Sequence, residues 1–289
     1  MKTTLSNRIF HIIKRYKFVV SGFLILVLFW LLCLPKPLFK DPTATVVVSQ
    51  EGKLLGARIA SDGQWRFPAV DSVPSRFKNC ILEFEDAYFY KHPGFNLVAM
   101  SKALWSNLTT NNRRGGSTLT QQVVRLSRKN QKRTYFEKII ETFMATRVEA
   151  GYSKEEILNL YASNVPFGGN VVGLESACWR YFGIPSSELS WGQAAALAVL
   201  PNAPSLVFPG KNESLFKAKR DRLLQKLKNE NYIDKTTYEL AVAEDLPGKP
   251  RELPDEAPHF TERMVREQSG NYVNSTIQKI GLLISINWR

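Results

Sequence analysis

Three stretches of this sequence carry residue types that could do chemistry. The first is Glu83-Phe84-Glu85-Asp86-Ala87-Tyr88-Phe89-Tyr90-Lys91-His92, which sets three carboxylates among four aromatic rings. A carboxylate that loses hydration among apolar rings gains proton affinity, toward the working range of a general acid or base. The alternative is a row of surface charges on an aromatic-faced helix. The second stretch runs from Arg113 to Arg125 (RRGGSTLTQQVVR). A Gly-Gly turn before a hydroxyl-rich helix start offers free backbone N–H groups and a positive dipole end to an anion. It lacks the GxxxxGK[ST] spacing of a P-loop, and an ordinary Ser or Thr N-cap would look the same. Arg125, Arg128, Lys129, Lys132 and Arg133 follow, enough positive charge to hold a diphosphate. The third stretch holds Lys138, Glu141 and Arg147. Glu141 falls at the edge of a helical apolar stripe, where it could line a cleft; a solvated helix charge is the alternative. Arg147 falls inside that stripe, and a buried guanidinium predicts a carboxylate partner.

The elements that must position these residues are mostly helical. Phe136, Ile139, Ile140, Phe143, Met144 and Val148 recur at helical spacing and predict one apolar face. Ser153 followed by Glu156 is a capping-box signature opening a helix through Tyr161. Ser190–Leu200 reads as a buried, Ala-rich helix stopped by Pro201, and Phe216–Leu227 and Lys235–Ala243 as two more. Short β-like runs occur at Thr45–Ser49 and Trp65–Val70. From Pro247 to Pro258 the chain turns Pro- and charge-rich, as a linker does. No internal repeat is evident.

Apolar residues make up 44% and charged residues 22% of the 289, which excludes disorder and collagen-like repetition for the whole. Three cysteines, one in an apolar run, allow at most one disulfide, and with no CxxC or HExxH a structural zinc site is not expected. The net charge of +13 points to an anionic partner and is local. Five cations lie in the first 17 residues, and nine lie between Lys102 and Lys138 with the single acid Glu137. Phe18–Leu34 is 17 residues without a charge, just long enough with its flanks to cross a hydrocarbon core of about 30 Å. It shows no polar face and no small-x-small cleavage site, so an uncleaved anchor is expected rather than a core helix or signal peptide. The cations before it predict a cytoplasmic N-terminus and residues from about 40 onward outside. That places the basic stretch away from nucleic acid, for which no motif is present.

In order and spacing the three stretches resemble the glycosyltransferase family 51 domain, the peptidoglycan transglycosylase of class A penicillin-binding proteins and monofunctional transglycosylases. The motif E-D-x-x-F-x-x-H-x-G is met by Glu85, Asp86, Phe89, His92 and Gly94, and G-G-S-T-x-T-Q-Q in full by Gly115–Gln122. R-K-x-x-E is met by Lys138 and Glu141, with Glu137 in the Arg position. K-x-x-I-L-x-x-Y is met by Lys154, Ile157, Leu158 and Tyr161, with Asn164 three residues on. A fifth motif, a basic residue before V-L-x-x-M, is met loosely by Lys219 or Arg220 with Leu223, Leu224 and Leu227. Pro166–Gly169 and Trp179–Gly183 look most like the 1C type of penicillin-binding protein.

The resemblance implies a mostly α, lysozyme-like transglycosylase domain over 45–245. It would sit behind a basic tail (1–17) and a single transmembrane anchor (18–34). Residues 246–289 would be a linker and the truncated start of a transpeptidase region. KTG is absent, two S-x-x-K matches (Ser75–Lys78, Ser214–Lys217) fall inside the transglycosylase-like region, and 279–289 match nothing. The implied reaction polymerises lipid II on the outer side of the bacterial cytoplasmic (inner) membrane, with inversion at the anomeric carbon and release of polyprenyl diphosphate. Glu85 would be general base, and Glu141 would assist near the diphosphate, directly or through a divalent cation such as Mg²⁺. Ser117, Thr118, Gln122, Arg125, Arg133, Lys138 and Asn164 would bind substrate. The expected partners are lipid II, the growing glycan strand, the membrane and other cell-wall synthesis proteins. Leu97, Met100, Leu104, Trp105 and Leu108 would either rest in the membrane surface or form a core helix. Two rivals remain at this point: a catalytically silent, membrane-anchored scaffold, and a lysozyme-like hydrolase, which would need neither diphosphate cradle nor anchor.

Overall fold

The computed structural model describes residues 16–49, 52–69, 72–109, 115–129, 131, 134–202 and 209–268. Arg113, Arg114, Lys132, Arg133, the first 15 residues and the segment 269–289 lie outside the described residues. The chain is mostly helical, as expected. Helix α1 (Lys17–Leu32) is followed by strands β1 (Thr45–Val48), β2 (Leu54–Arg58) and β3 (Trp65–Arg66). Helices α2 (Ser75–Glu85), α3 (Leu97–Thr109), α4 (Leu119–Ser127), α5 (Tyr135–Gly151) and α6 (Lys154–Asn164) carry the chemistry-bearing stretches. Strands β4 (Pro166–Gly168) and β5 (Val171–Val172) precede α7 (Leu174–Tyr181), α8 (Trp191–Val199), α9 (Glu213–Asn229), α10 (Lys235–Ala243) and α11 (Pro258–Gln268).

Helix starts are set by side chains that satisfy the first orphan amides. Thr118, Ser153 and Ser190 each close a reciprocal capping box, with Gln121, Glu156 and Gln193. Thr134 and Asp234 cap α5 and α10 through the amides of Glu137 and Thr237. The core forms where α8, whose Ala194–Val199 are all buried, packs between α2 and α9, and where α4 packs on α5 and α6. Alanines on α8 allow that close approach from both sides. Helix α2, not anticipated from the sequence, inserts Phe77, Cys80 and Ile81 into this core, an i, i+3, i+4 face.

The strands form two small sheets at one side. Strands β1 and β2 pair antiparallel from Thr45↔Arg58 to Val48↔Leu54, and β5 sits between parallel β3 and antiparallel β4. Helix α11 lies along β1 and β2, tied by Arg58 to Glu262 at 2.6 Å and by Glu256 N–H to the Leu55 carbonyl.

Two expectations change here. The apolar stripe of α5 is divided: Met144 and Val148 are buried, whereas Phe136 and Ile139 are 70% and 67% exposed and Tyr135 is 91% exposed. Exposure is confined to one side of the first turns: Ile140 is already half-buried against the core, and Glu137 and Lys138 bond to side chains at the end and the start of α4. Arg147 finds no carboxylate among the described residues. Its guanidinium lies 5.2 Å from the Trp30 ring, a cation–π contact. Beside it Trp30 Nε1 donates to Thr146 Oγ1 at 2.9 Å and Phe29 stacks on Phe143, so the end of α1 docks on α5. Helix α1 is 16 residues long, about 24 Å, and buries none of its side chains. Among the described residues no helix is long and apolar enough to cross a membrane.

Candidate active site

The end of α2 and the start of α4 meet through one carboxylate. Asp86 is buried and accepts from His92 Nε2 at 2.9 Å and from the Leu119 backbone N–H at 2.9 Å. The Gly94 N–H donates to His92 Nδ1 at 3.2 Å, so the ring hydrogen sits on Nε2 and points at Asp86. Gly94 itself has φ +91°, and a Cβ there would stand 2.8 Å from the Ala145 carbonyl oxygen. Thr118 Oγ1 donates to the Gly94 carbonyl at 2.7 Å and accepts from Gln121 N–H. A second cluster braces this one: Lys154 Nζ donates to the His92 carbonyl at 2.9 Å and to Glu149 at 2.8 Å, and Glu149 also accepts from Thr120.

This geometry favours the N-cap over the anion cradle, the two readings the sequence left open. The N-terminus of α4 is not a cradle of free N–H groups, because the Leu119 amide already holds Asp86 and the Gln121 amide holds the Thr118 cap. An internal anion occupies the positive dipole end. The Thr118 hydroxyl is likewise engaged by the architecture. Gly116 is needed for packing: a Cβ there would meet Ala103 Cβ at 2.9 Å and the Ala99 carbonyl at 3.0 Å, where α3 crosses.

Glu85 is the last residue of α2. Gln122, one turn into α4, donates Nε2–H to Glu85 Oε2 at 2.7 Å. Glu85 Oε1 is enclosed and has no hydrogen-bond partner among the described residues. Burial pushes the Glu85 carboxyl above the usual carboxylate range. Gln122, the nearby Asn202 amide and the Arg125 guanidinium pull it partly back, and Asp86 adds to the rise. Asn202 lies close enough to act on this charge without hydrogen-bond geometry to Oε1.

Across the start of α4, Lys138 Nζ donates to Ser117 Oγ at 2.8 Å, Gln121 Oε1 at 2.8 Å and Glu141 Oε2 at 3.2 Å. An ammonium has three N–H bonds, so it can hold these three acceptors at once. Glu141 is 9% exposed, and the Gln121 amide continues the network to Thr142 Oγ1 at 3.0 Å. Glu137, where the family pattern has arginine, is met by Arg128: both carboxylate oxygens accept from its Nη2, at 2.9 and 3.0 Å. The cation reaches the start of α5 from the end of α4 instead of from α5 itself.

The structure thus gathers Glu85 and Gln122, with Arg125 acting on their charge, and gathers Ser117, Lys138 and Glu141. It does not bring Asn164 to either group. The Asn164 amide donates to the Leu160 carbonyl at 2.9 Å, and the residue lines a separate cavity of about 890 Å³ with Lys36, Lys40 and Arg66. Arg133 lies outside the described residues. Gln121, Glu149 and Asn202 were missed as site residues, since each earns its place only through a partner distant in sequence, while Arg128, expected among the diphosphate-holding cations, pairs with Glu137. An open cavity of about 730 Å³ adjoins His92 and is lined by Tyr88, Lys91, Phe95, Leu97, Val98 and Lys102. Next to it Leu97 is exposed and Trp105 is 72% exposed, so α3 is not a core helix; the side chains of Leu104 and Leu108 lie outside the described residues.

Among the described residues no group of three His, Cys, Asp or Glu could hold a metal ion. Glu141 offers one carboxylate, already facing an ammonium.

The family model described as Transglycosylase matches residues 51–228. Penicillin-binding protein 1C of Escherichia coli (strain K12) is 35% identical over 245 residues, 84% of this chain and 32% of that protein. A monofunctional glycosyltransferase of Staphylococcus aureus (strain JH9) is 37% identical over 185 residues, 62% of this chain and 69% of that protein. The chain therefore spans about a third of the first relative's length and about two thirds of the second's. Penicillin-binding protein 1A from Haemophilus influenzae superposes with a TM-score of 0.41 at 20% identity, over 82% of this chain and 26% of that one, too loose to bear on the fold. The motif residues gathered around Glu85 and Glu141 fall within the matched span, and the chain belongs to the transglycosylase family, the peptidoglycan glycosyltransferases of glycosyltransferase family 51.

Proposed function

We propose that this chain polymerises lipid II into glycan strands, with Glu85 as general base. The observation that carries the reading is the asymmetric carboxylate: Oε2 is held by Gln122 while the enclosed Oε1 has no donor, and burial raises its proton affinity. Oε1 takes the proton of the acceptor sugar's 4-hydroxyl as that oxygen attacks the anomeric carbon of the lipid-linked donor. The carbon–oxygen bond to the diphosphate breaks on the opposite face, so α becomes β and polyprenyl diphosphate leaves. Negative charge grows on the leaving diphosphate, and Lys138, Ser117 and Arg125 are the groups that stabilise it. Lys138 reaches a phosphate by exchanging one of these acceptors, and Glu141, its neighbour, keeps the ammonium oriented. A divalent cation such as Mg²⁺ would need the substrate's own oxygens to complete its shell beside Glu141.

The same proposal places the protein at the bacterial cytoplasmic membrane with the catalytic body outside. Helix α1 supports it, being apolar on every side, with Phe18, Phe23, Ile25 and Leu32 all exposed. Its roughly 24 Å need the flanking residues to complete a crossing of about 30 Å. The exposed Leu97, Trp105, Phe136 and Ile139 give a surface for a lipid-tailed substrate to approach along. Other cell-wall synthesis proteins are its proposed partners. The test is polymerisation of labelled lipid II by the purified chain in detergent, beside Glu85→Gln. Long glycan from the native chain and none from the variant supports the reading. No product from either folded protein would move it to the silent scaffold, and cleavage of finished glycan would move it to the hydrolase.

A further inference from the structure

The end of α1 that docks on the body carries positive charge that the body does not neutralise. Arg147 stands on the apolar stripe of α5, with Phe143 and Ile140 one and two turns before it. Its guanidinium lies against the Trp30 ring, 5.2 Å from the centroid, and its enclosed Nε has no acceptor among the described residues. Stacking on a ring occupies the face of a guanidinium and leaves its N–H edge open to acceptors in its plane. A half-buried cation without a carboxylate is unfavourable unless an anion from outside completes it. A second group lies at the same end of α5. Tyr152 caps α5 five residues after Arg147, roughly 7.5 Å further along. It lines the open cavity of about 890 Å³ that also holds Lys36 and Lys40. These lysines follow the last residue of α1 by four and eight positions, and both are exposed with no acidic partner among the described residues. The other charges of the cavity are engaged. Arg66 donates to Asp62 at 2.9 Å and to the Pro42 carbonyl at 2.6 Å. Glu156 accepts from the Ser153 amide and hydroxyl, and Asp41 stands 3.7 Å from Lys129 Nζ.

We propose that the outer end of α1 carries a site for the headgroup phosphate of an anionic phospholipid. Arg147 presents its N–H edge to the phosphate oxygens, and Lys36 and Lys40 add positive potential from the cavity at the same end of α5. The acyl chains lie along α1, whose side chains are exposed on every side. This rests on the proposed membrane crossing by α1, which sets the three cations at the depth of the outer headgroups. A zwitterionic headgroup brings its own ammonium and leaves part of their charge unmet, so the site discriminates in favour of a net negative lipid. Free phosphate offers the same oxygens without the chains.

The experiment reconstitutes the full chain in vesicles of phosphatidylcholine with phosphatidylglycerol, with bromine on the acyl chains of one lipid or of the other. Quenching of Trp30, taken as the difference between the native chain and Trp30→Phe, gives the relative affinity of the two lipids at the end of α1. Phosphatidylglycerol is expected to be preferred, and Arg147→Gln to lower that preference roughly fivefold. Lys36→Gln/Lys40→Gln leaves the Trp30–Arg147 contact in place and is expected to lower it as well, which covers a failure of Arg147→Gln to dock α1. Equal quenching of Trp30 by the two brominated lipids overturns the site and leaves the membrane reading standing. A preference that both variants retain in full also overturns it. Loss of the preference on adding inorganic phosphate at constant ionic strength assigns the site to the free ion and overturns the lipid assignment. A Trp30 quenched by neither lipid would remove the membrane reading itself, and the site with it.

Discussion

Replacing Asp86 with asparagine tests the joint between the end of α2 and the start of α4. The carboxylate accepts from two different buried donors, His92 Nε2–H and Leu119 N–H, each at 2.9 Å. Both bonds end on Oδ2, and Nε2 also stands 3.0 Å from Oδ1. An asparagine whose oxygen stands at Oδ2 puts its side-chain NH₂ at Oδ1, against the hydrogen on Nε2. Moving the ring hydrogen to Nδ1 relieves that contact and creates another, because Gly94 N–H already donates to Nδ1 at 3.2 Å. Every arrangement leaves one buried donor opposed, which costs about 1–3 kcal/mol. Loss of the negative charge at the start of α4 adds about 0.3–1 kcal/mol. The sum, about 1.3–4 kcal/mol, is a large part of the roughly 5–15 kcal/mol that holds a typical domain together. Urea unfolding of the chain in detergent should show a lower midpoint at unchanged slope. Nitrogen NMR of the native histidines should find the His92 hydrogen on Nε2. An unaltered midpoint, or a native His92 with its hydrogen on Nδ1, would refute the reasoning.

Other consequences follow from the same geometry. Because burial raises the Glu85 pKa in the folded state, ionised Glu85 opposes folding: its favourable contribution is complete below the unfolded carboxyl value of 4.5 and is lost as pH rises through the folded value. Glu85→Gln should therefore melt higher than the native chain at pH 7, with the gap closing near pH 4 and below, as differential scanning calorimetry would record. Gly116→Ala puts a methyl group 2.9 Å from Ala103 Cβ and 3.0 Å from the Ala99 carbonyl, and should lower stability by about 1–3 kcal/mol in the same urea assay. The Arg128–Glu137 pair, with side chains 29% and 21% exposed, is worth about 1–2 kcal/mol. Arg128→Glu and Glu137→Arg should each lower the unfolding midpoint, and the double exchange should recover most of it. Lys138→Met strips Ser117 and Glu141 of their shared cation and should reduce kcat for lipid II polymerisation at least tenfold. A change in KM alone would show that Lys138 binds ground state and transition state equally.

The local pattern of the sequence determined which residues matter and the helices that carry most of them. Ser153 with Glu156 announced the start of α6, the 3.6-residue period announced α5, and the alanine run announced α8; each depends on neighbours within a few positions, so sequence alone exposes them. The motif spacing likewise singled out Glu85, Gln122, Lys138 and Glu141 before any geometry was known. The meeting of side chains from separate elements was a different matter. Asp86 closing off the amide of Leu119, Arg128 reaching Glu137 and Trp30 covering Arg147 all join residues whose separation is set by how α1, α2, α4 and α5 pack. The division of the α5 stripe into a buried and an exposed half also belongs to packing, since periodicity defines a face without saying how far its neighbour extends along it. Residue types and spacing pointed to the chemistry; the tertiary structure decided which oxygen of Glu85 is left without a donor, because that depends on which donors the fold brings to it.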